Sequence, residues 1–310
     1  MAVGAPFPIA NGATLFQRIA RLTFFVPQVG PIQGGEGAAS ILQITGAGDG
    51  STPGIRFRFE IMKTSEKEPN TCKITITNLA PSTRQLLQQP GVKVLLEAGY
   101  QNTGMTGFFQ GDVSYADHLH PAEDWETVIK CRDGDLWYRW QRMNGQSFGS
   151  GVTVRQLVQS ICSQTGMPFP TVVPTPTRAL GWDTPFQFGY TLKGTAQAQL
   201  DKLIKGIGLV WSIQSGQLQI LGPGQSLSTS IPLISPETGL WGSAEMGTSE
   251  TKGKPALLKL NCALLPVKPR GVVHLTDARY NTDLTVVKAE FVGDTEGGPW
   301  DTTIYGTPNG

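Results

Sequence analysis

Apolar and polar residues alternate with a period of two through much of the first 145 residues. In Ile55-Arg56-Phe57-Arg58-Phe59-Glu60-Ile61 the four apolar side chains share one face, the signature of a half-buried strand. Arg56, Arg58 and Glu60 are left to face solvent or a partner. Cys72–Thr77 repeats the pattern, with Cys72, Ile74 and Ile76 on one side. Lys93–Ala98, Thr106–Tyr115, Thr127–Arg132 and Leu136–Met143 continue it, and Asp133-Gly134 makes a turn between the last two. Leu22–Val26 is a short strand stopped by Pro27, and the Gly-rich Gln28–Ser40 reads as a loop. Pro81 opens a short helix to about Gln88, since proline is favoured at the first helical position. Residues 1–145 therefore read as an antiparallel β barrel or sandwich with one short helix.

The period then changes. Asn144–Gly151 is rich in Gly and Ser and reads as a linker. Thr153-Val154-Arg155-Gln156 is a capping box. Val154, Leu157, Val158, Ile161 and Cys162 follow at helical spacing, and Gly166 with Pro168 ends the helix. Pro168–Pro185 reads as a loop. Thr195 caps a second helix bearing Leu200, Leu203, Ile204 and Ile207. Gly208 leads into a hairpin turning at Ser215-Gly216, in which Ile213 faces Leu218 and Trp211 faces Ile220. Residues 150–222 are thus a compact α+β insert, closed by Gly222-Pro223-Gly224. Residues 225–310 return to short strands and turns, including a strand over Leu257–Leu265. The two β blocks share texture but no detectable repeat.

Composition narrows the function. A chain of 310 residues makes two or three domains. The net charge of +1 lacks the basic bias of a nucleic-acid binder. Charged residues are 16%, against roughly 25% in ordinary soluble domains. So sparse a charge suits a surface largely covered by partner subunits. Cys72, Cys131, Cys162 and Cys262 contain no Cys-x-x-Cys pair and read as small buried hydrophobes. Met1–Asn11 has no basic start and is broken by Pro6 and Pro8, unlike a secretory signal. No apolar run reaches the roughly 18–20 residues of a membrane span, so assembly in the cytoplasm with free thiols is expected.

The candidate chemistry is thin. Gly145-Gln146-Ser147-Phe148-Gly149 fits the Gly-x-Ser-x-Gly spacing. A nucleophile elbow, however, starts its helix at the serine on a parallel sheet. Here Ser150-Gly151 intervene, and His274 is the one histidine downstream. His118-Leu119-His120 lies near Asp112, Asp117 and Asp124. Two histidines spaced by one in a strand point the same way, as metal ligation needs. No distant partner is evident, and the segment reads as a polar loop. Asp133/Asp135 and Glu123/Asp124 sit in turns, where such residues are common. Gly46–Gly50 is a turn without the helix that a phosphate loop requires. Gly293 serves a positive φ or a close backbone approach, Asp294 bonds the following amides, and Trp300 packs back on Thr285–Val292. No catalytic, cofactor or metal residue is assigned.

Four segments, in order, resemble the baseplate hub proteins of long-tailed, contractile-leaning bacteriophages. They are Asn70–Leu79 with Thr83-Arg84, the helix–helix–hairpin insert with Leu200–Ile220, Ile234–Leu240, and Gly293–Thr302. The resemblance implies a mainly β fold: two tail-tube-like antiparallel β-barrel modules, 1–145 and 225–310, flanking the α+β insert 150–222. It implies a structural, non-enzymatic homotrimer in the virion's tail baseplate. That ring would adapt the sixfold tube to a threefold central spike and surround the DNA channel. Its expected partners are a tube or tube-initiator protein, a trimeric spike and other baseplate proteins; DNA only passes through, and any wall-cutting activity belongs to another protein. The alternative is a tail-associated cell-wall glycan binder using Trp137, Tyr138 and Trp140 as stacking platforms.

Overall fold

The computed structural model describes residues 18–27, 40–46, 54–66, 68–134, 142–172, 181–222, 225, 231–247 and 257–309. They form two compact units. The larger takes the described residues up to Ser65, Asn70–Arg132 and those from 231 onwards; the smaller takes Glu66–Pro69 and 133–227.

The larger unit is one sheet of thirteen strands. Its first half comprises β1 (Arg18–Val26), β2 (Ser40–Gly46), β3 (Phe57–Thr64), β4 (Thr71–Thr77), β5 (Lys93–Tyr100), β6 (Gly104–Leu119) and β7 (Glu126–Arg132), with helix α1 (Pro81–Leu87) between β4 and β5. The strand order is β2-β1-β5-β6-β7-β4-β3. The alternation read in Phe57, Phe59 and Ile61 is the burial pattern of β3. Ile55 falls outside that strand and is exposed, whereas Lys63 is buried on its inner face beneath the Phe291 ring. β2 follows the stretch read as Gly-rich loop and shares only Ser40 with it; residues 28–39 lie outside the described residues. β6 is long because it serves two partners, β5 with its first half and β7 with its second. Single extra residues at Phe108 and Ser114 bend it. The first bulge buries two consecutive phenylalanines, Phe108 and Phe109.

The second half comprises β13 (Leu233–Ile234), β14 (Leu240–Met246), β15 (Leu258–Ala263), β16 (Val272–Thr276), β17 (Asn281–Asp294) and β18 (Trp300–Pro308). Where short strands are expected, β17 and β18 form a long hairpin. β17 pairs with β16 along its first part and with β3 along its last. That β3–β17 ladder fuses the halves into one sheet over one hydrophobic core.

The fold is mainly β with an α+β insert, as expected. Among the described residues no ladder closes a barrel. Each half instead has an end strand bonded to residues that flank a strand on its far side. In the first half Ile55 N donates to Thr45 O at 3.0 Å. In the second, the Ala244 amide donates to Asp277 Oδ2 and Arg279 Nη2 donates to Ala244 O, tying β14 to the turn after β16.

The smaller unit holds β8 (Arg142–Phe148), α2 (Val154–Thr165), β9 (Thr171–Val172), β10 (Tyr190–Thr195), α3 (Ala196–Gly206), β11 (Val210–Gln214) and β12 (Gln217–Leu221). The capping box forms as read: the Gln156 amide donates to Thr153 Oγ1, and the Thr153 amide donates to Gln156 Oε1. Gly166 ends α2 in the left-handed region, at φ 70°. The hairpin register is the expected one, Trp211 against Ile220 and Ile213 against Leu218. The segment read as a linker is strand β8, paired antiparallel with β10. Its residues are mostly polar and exposed, so no alternation marks it. β9, in the segment read as loop, pairs parallel with β12.

Candidate functional site

The turn between β17 and β18 is held by side chains on or next to two other strands. In the ladders Gly293 stands opposite Phe59 on one side and Trp300 on the other. A Cβ at Gly293 would lie 2.2 Å from the Phe59 ring. The hydrogen in its place lets the two aromatic rings lean together over the glycine. They meet edge to face with centroids 5.5 Å apart, a favoured aromatic geometry. Gly293 is thus needed for close approach, not for a positive φ. Trp300 packs on Phe59 of β3.

Two arginines clamp the turn. Arg18 Nη1 donates to the carbonyls of Asp294 and Gly298, at 3.2 and 2.9 Å, and its guanidinium lies 5.6 Å from the Trp300 ring. Arg56 donates to both carboxylate oxygens of Asp294, Nη2 to Oδ2 at 2.8 Å and Nε to Oδ1 at 3.3 Å. The Glu296 amide donates to Asp294 Oδ1, as the sequence leads one to expect of an Asp in such a turn. Burial pushes the Asp294 carboxyl up. The Arg56 hydrogen bonds, the Glu296 amide and the charges of Arg56 and Arg58 outweigh it and hold the group below the usual carboxylate range. Thr295 completes the turn by exchanging two hydrogen bonds with the Phe57 backbone.

The segment Ile234–Leu240 is equally fixed. Pro236–Thr238 form one 3-10 turn, Ser235 N donates to Thr238 Oγ1, and Thr238 Oγ1 donates to Leu233 O. Gly239 then takes φ 106°, which lets β14 start at once. Beside this turn lies a cavity of about 80 Å³, lined by Tyr100, Phe108, Ile234, Thr238, Cys262 and Leu264 among others. Tyr100 Oη accepts from the Leu264 amide at 3.1 Å. Burial pushes its phenol up to about 12, so the hydroxyl stays neutral.

Within each unit, the described residues singled out for chemistry do not come together. Ser147 sits near the end of β8, its Oγ sharing a hydrogen bond with Thr191 Oγ1 at 3.1 Å. The antiparallel ribbon is not an elbow. His274 belongs to the larger unit, where Nδ1 meets Asp283 Oδ1 at 2.6 Å and Nε2 meets Asn281 Oδ1 at 3.1 Å. His118 lies within β6 and not in a loop, and His120 lies past the strand's end, stacked on Trp125. Asp117 is engaged by the His118 amide and the Tyr115 hydroxyl, and Asp124 by Asn78. Among the described residues no three His, Cys, Asp or Glu side chains converge as metal ligands.

Asp133 is buried and accepts from the amides of Ser215 and Gly216, holding the turn of the β11–β12 hairpin. Asp135, Trp137, Tyr138, Trp140 and the Gly46–Gly50 turn beyond Gly46 lie outside the described residues. Sequence reading missed Arg18 and the Asp133 cap. Nothing in a lone arginine or a turn aspartate reveals a partner some 280 or 80 positions away.

Residues 41–218, more than half of the chain, match the model of the family described as baseplate hub gp41. No curated protein sequence matches. Similar folds occur in the 43 kDa tail protein of prophage MuSo2 from Shewanella oneidensis. That match has 11% identity and a TM-score of 0.62 and covers 93% of this chain and 98% of that one. A tail protein from Neisseria meningitidis MC58 matches at 10% identity and a TM-score of 0.60, over 94% and 96% of the two chains. The E. coli c3393 protein, a type VI secretion component described as structurally similar to T4 tail proteins gp27 and gp5, matches at 11% and 0.55, over 83% and 74%. At such identities these likenesses concern the fold.

Proposed function

Because the chain belongs to the baseplate hub gp41 family, we propose that it is a structural hub whose three copies close into a ring. That ring adapts a sixfold tail tube to a threefold central spike and surrounds the DNA channel. The observation that carries this reading is the doubled sheet of the larger unit. In each half-sheet an end strand is hydrogen-bonded to residues flanking a strand on the far side, and the β3–β17 ladder makes the two halves one body. Three chains then bring six such modules to the tube, while the face that holds the spike stays threefold. The ring closes through heterologous contacts, each copy joining two different surfaces.

The partners are a second and third copy, a tube or tube-initiator protein, the spike and other baseplate proteins, within the virion tail. DNA passes through without being read. The clamped turn serves the same end: ion pairs and edge-to-face rings hold shape instead of substrate, and the chain works without catalysis. No described helix is long and apolar enough to cross a membrane, and contacts with the tail components provide the attachment.

Light scattering tests the proposal, on the protein alone and with a trimeric spike. A mass of three times 33.3 kDa, alone or on addition of spike, is the expected result. A monomer that ignores the spike overturns it.

A further inference from the structure

β4 and β7 are neighbours in the middle of the large sheet, and their register sets Cys72 directly opposite Cys131. Asn78 N donates to Trp125 O on the β7 side, whereas Thr77 N donates to Arg56 O on the β3 side. Counting back by twos from Asn78, Cys72 also turns its amide and carbonyl towards β7. The two cysteines are therefore a hydrogen-bonded cross-strand pair, which holds Cα atoms about 5.5 Å apart. Disulfides span Cα separations of about 4.4–6.8 Å. Both side chains point into the core on the same face, both are buried, and both are free thiols. Cys262 stands opposite Leu240 and Thr302, and Cys162 lies on helix α2, so neither has a cysteine across from it.

We propose that Cys72 and Cys131 are a latent cross-strand disulfide, closed by a small-molecule disulfide, that staples β4 to β7 at the centre of the sheet. One cysteine, as thiolate, attacks the small disulfide, forming a mixed disulfide and releasing one small thiol. The second cysteine gives up its proton and displaces the other small thiol. The protein loses two protons and two electrons, and the reagent's S–S bond becomes two thiols.

Burial pushes both thiols well above their ordinary range. Thiolate is therefore scarce in the closed sheet, and reaction waits for local opening of β4 from β7. In a hydrogen-bonded pair the Cβ atoms stand towards about 5.5 Å apart, beyond the roughly 3.5–4.5 Å of a relaxed disulfide. The closed bond is thus under tension and reducible. Such a pair stays open in reducing surroundings and closes slowly once they are lost.

The test uses the full-length folded protein, incubated with excess oxidised glutathione, then freed of reagent, denatured and alkylated, weighed intact and peptide-mapped. A parallel sample in mild urea speeds opening. The expected product has lost two hydrogens and maps to Cys72–Cys131, with Cys162 and Cys262 alkylated. It forms faster in urea, melts about 5 °C higher and reverts with dithiothreitol. Four alkylated thiols in both samples overturn the proposal, as do a glutathione adduct that never closes or a bridge to another cysteine. The Cys131→Ala variant, which removes the second thiol, is expected to stop at the mixed disulfide on Cys72; loss of all reaction there, with the variant folded by circular dichroism, also overturns it.

Discussion

At the scale of single residues, the turn after β17 is where one atom decides most. Gly293→Ala places a methyl 2.2 Å from the Phe59 ring, in a core that cannot open around it. A loss of about 1–3 kcal/mol is expected, read as a lower urea midpoint with an unchanged slope. Asp294→Asn keeps the shape but removes the charge that Arg56 and the Glu296 amide address. Arg56 is 43% exposed at its side chain, so solvent screens part of the ion pair and the expected cost is about 1–2 kcal/mol. The folded Asp294 carboxyl sits below its ordinary value of 3.8. Its stabilisation is therefore present above that value and fades as pH falls towards the folded one. Urea titrations at pH 7 and pH 3 should show the gap between wild type and Asp294→Asn shrinking in acid; an equal gap at both pH values contradicts the ion pair's role.

At the scale of elements, the β11–β12 hairpin shows how a turn is secured from afar. Ser215 and Gly216 both take positive φ, at 54° and 74°, and their amides point at one buried carboxylate, Asp133. Asp133→Ala leaves those amides without that acceptor, at an expected cost of about 1–3 kcal/mol. Hydrogen exchange should report it as faster exchange at Ser215–Leu221 with β17 and β18 unchanged; uniform change across the chain, or none, contradicts it. The hairpin itself was legible, because Trp211, Ile213, Leu218 and Ile220 carry both period and register. So were β3 and β4, whose inner faces are apolar, and α2, whose cap is spelled in four residues. β8 was not legible, because a polar ribbon exposed on most positions has no alternation to read. β2 was left unassigned between the Gly-rich loop and the Gly46–Gly50 turn. The clamp could be read only as far as Asp294 and its following amide, since Arg18 and Arg56 reach it across some 280 and 240 positions.

At the scale of the whole molecule, the account rests on two half-sheets joined as one body through β3 and β17. The order of family-like segments pointed to the fold. How the halves join follows from long pairings that local pattern does not carry, because β17 switches partner from β16 to β3 halfway along its length. Low charge fits a chain whose surfaces meet other proteins, and pairs such as Lys73–Glu60 and Lys288–Glu290 quiet much of what charge the sheet face has. The most direct test of the proposed ring is electron microscopy of the purified protein, alone and mixed with a trimeric spike. The account predicts averages with six similar lobes at the level of the sheets and threefold symmetry at the spike. A ring with three undivided lobes, or particles without threefold symmetry, would contradict it.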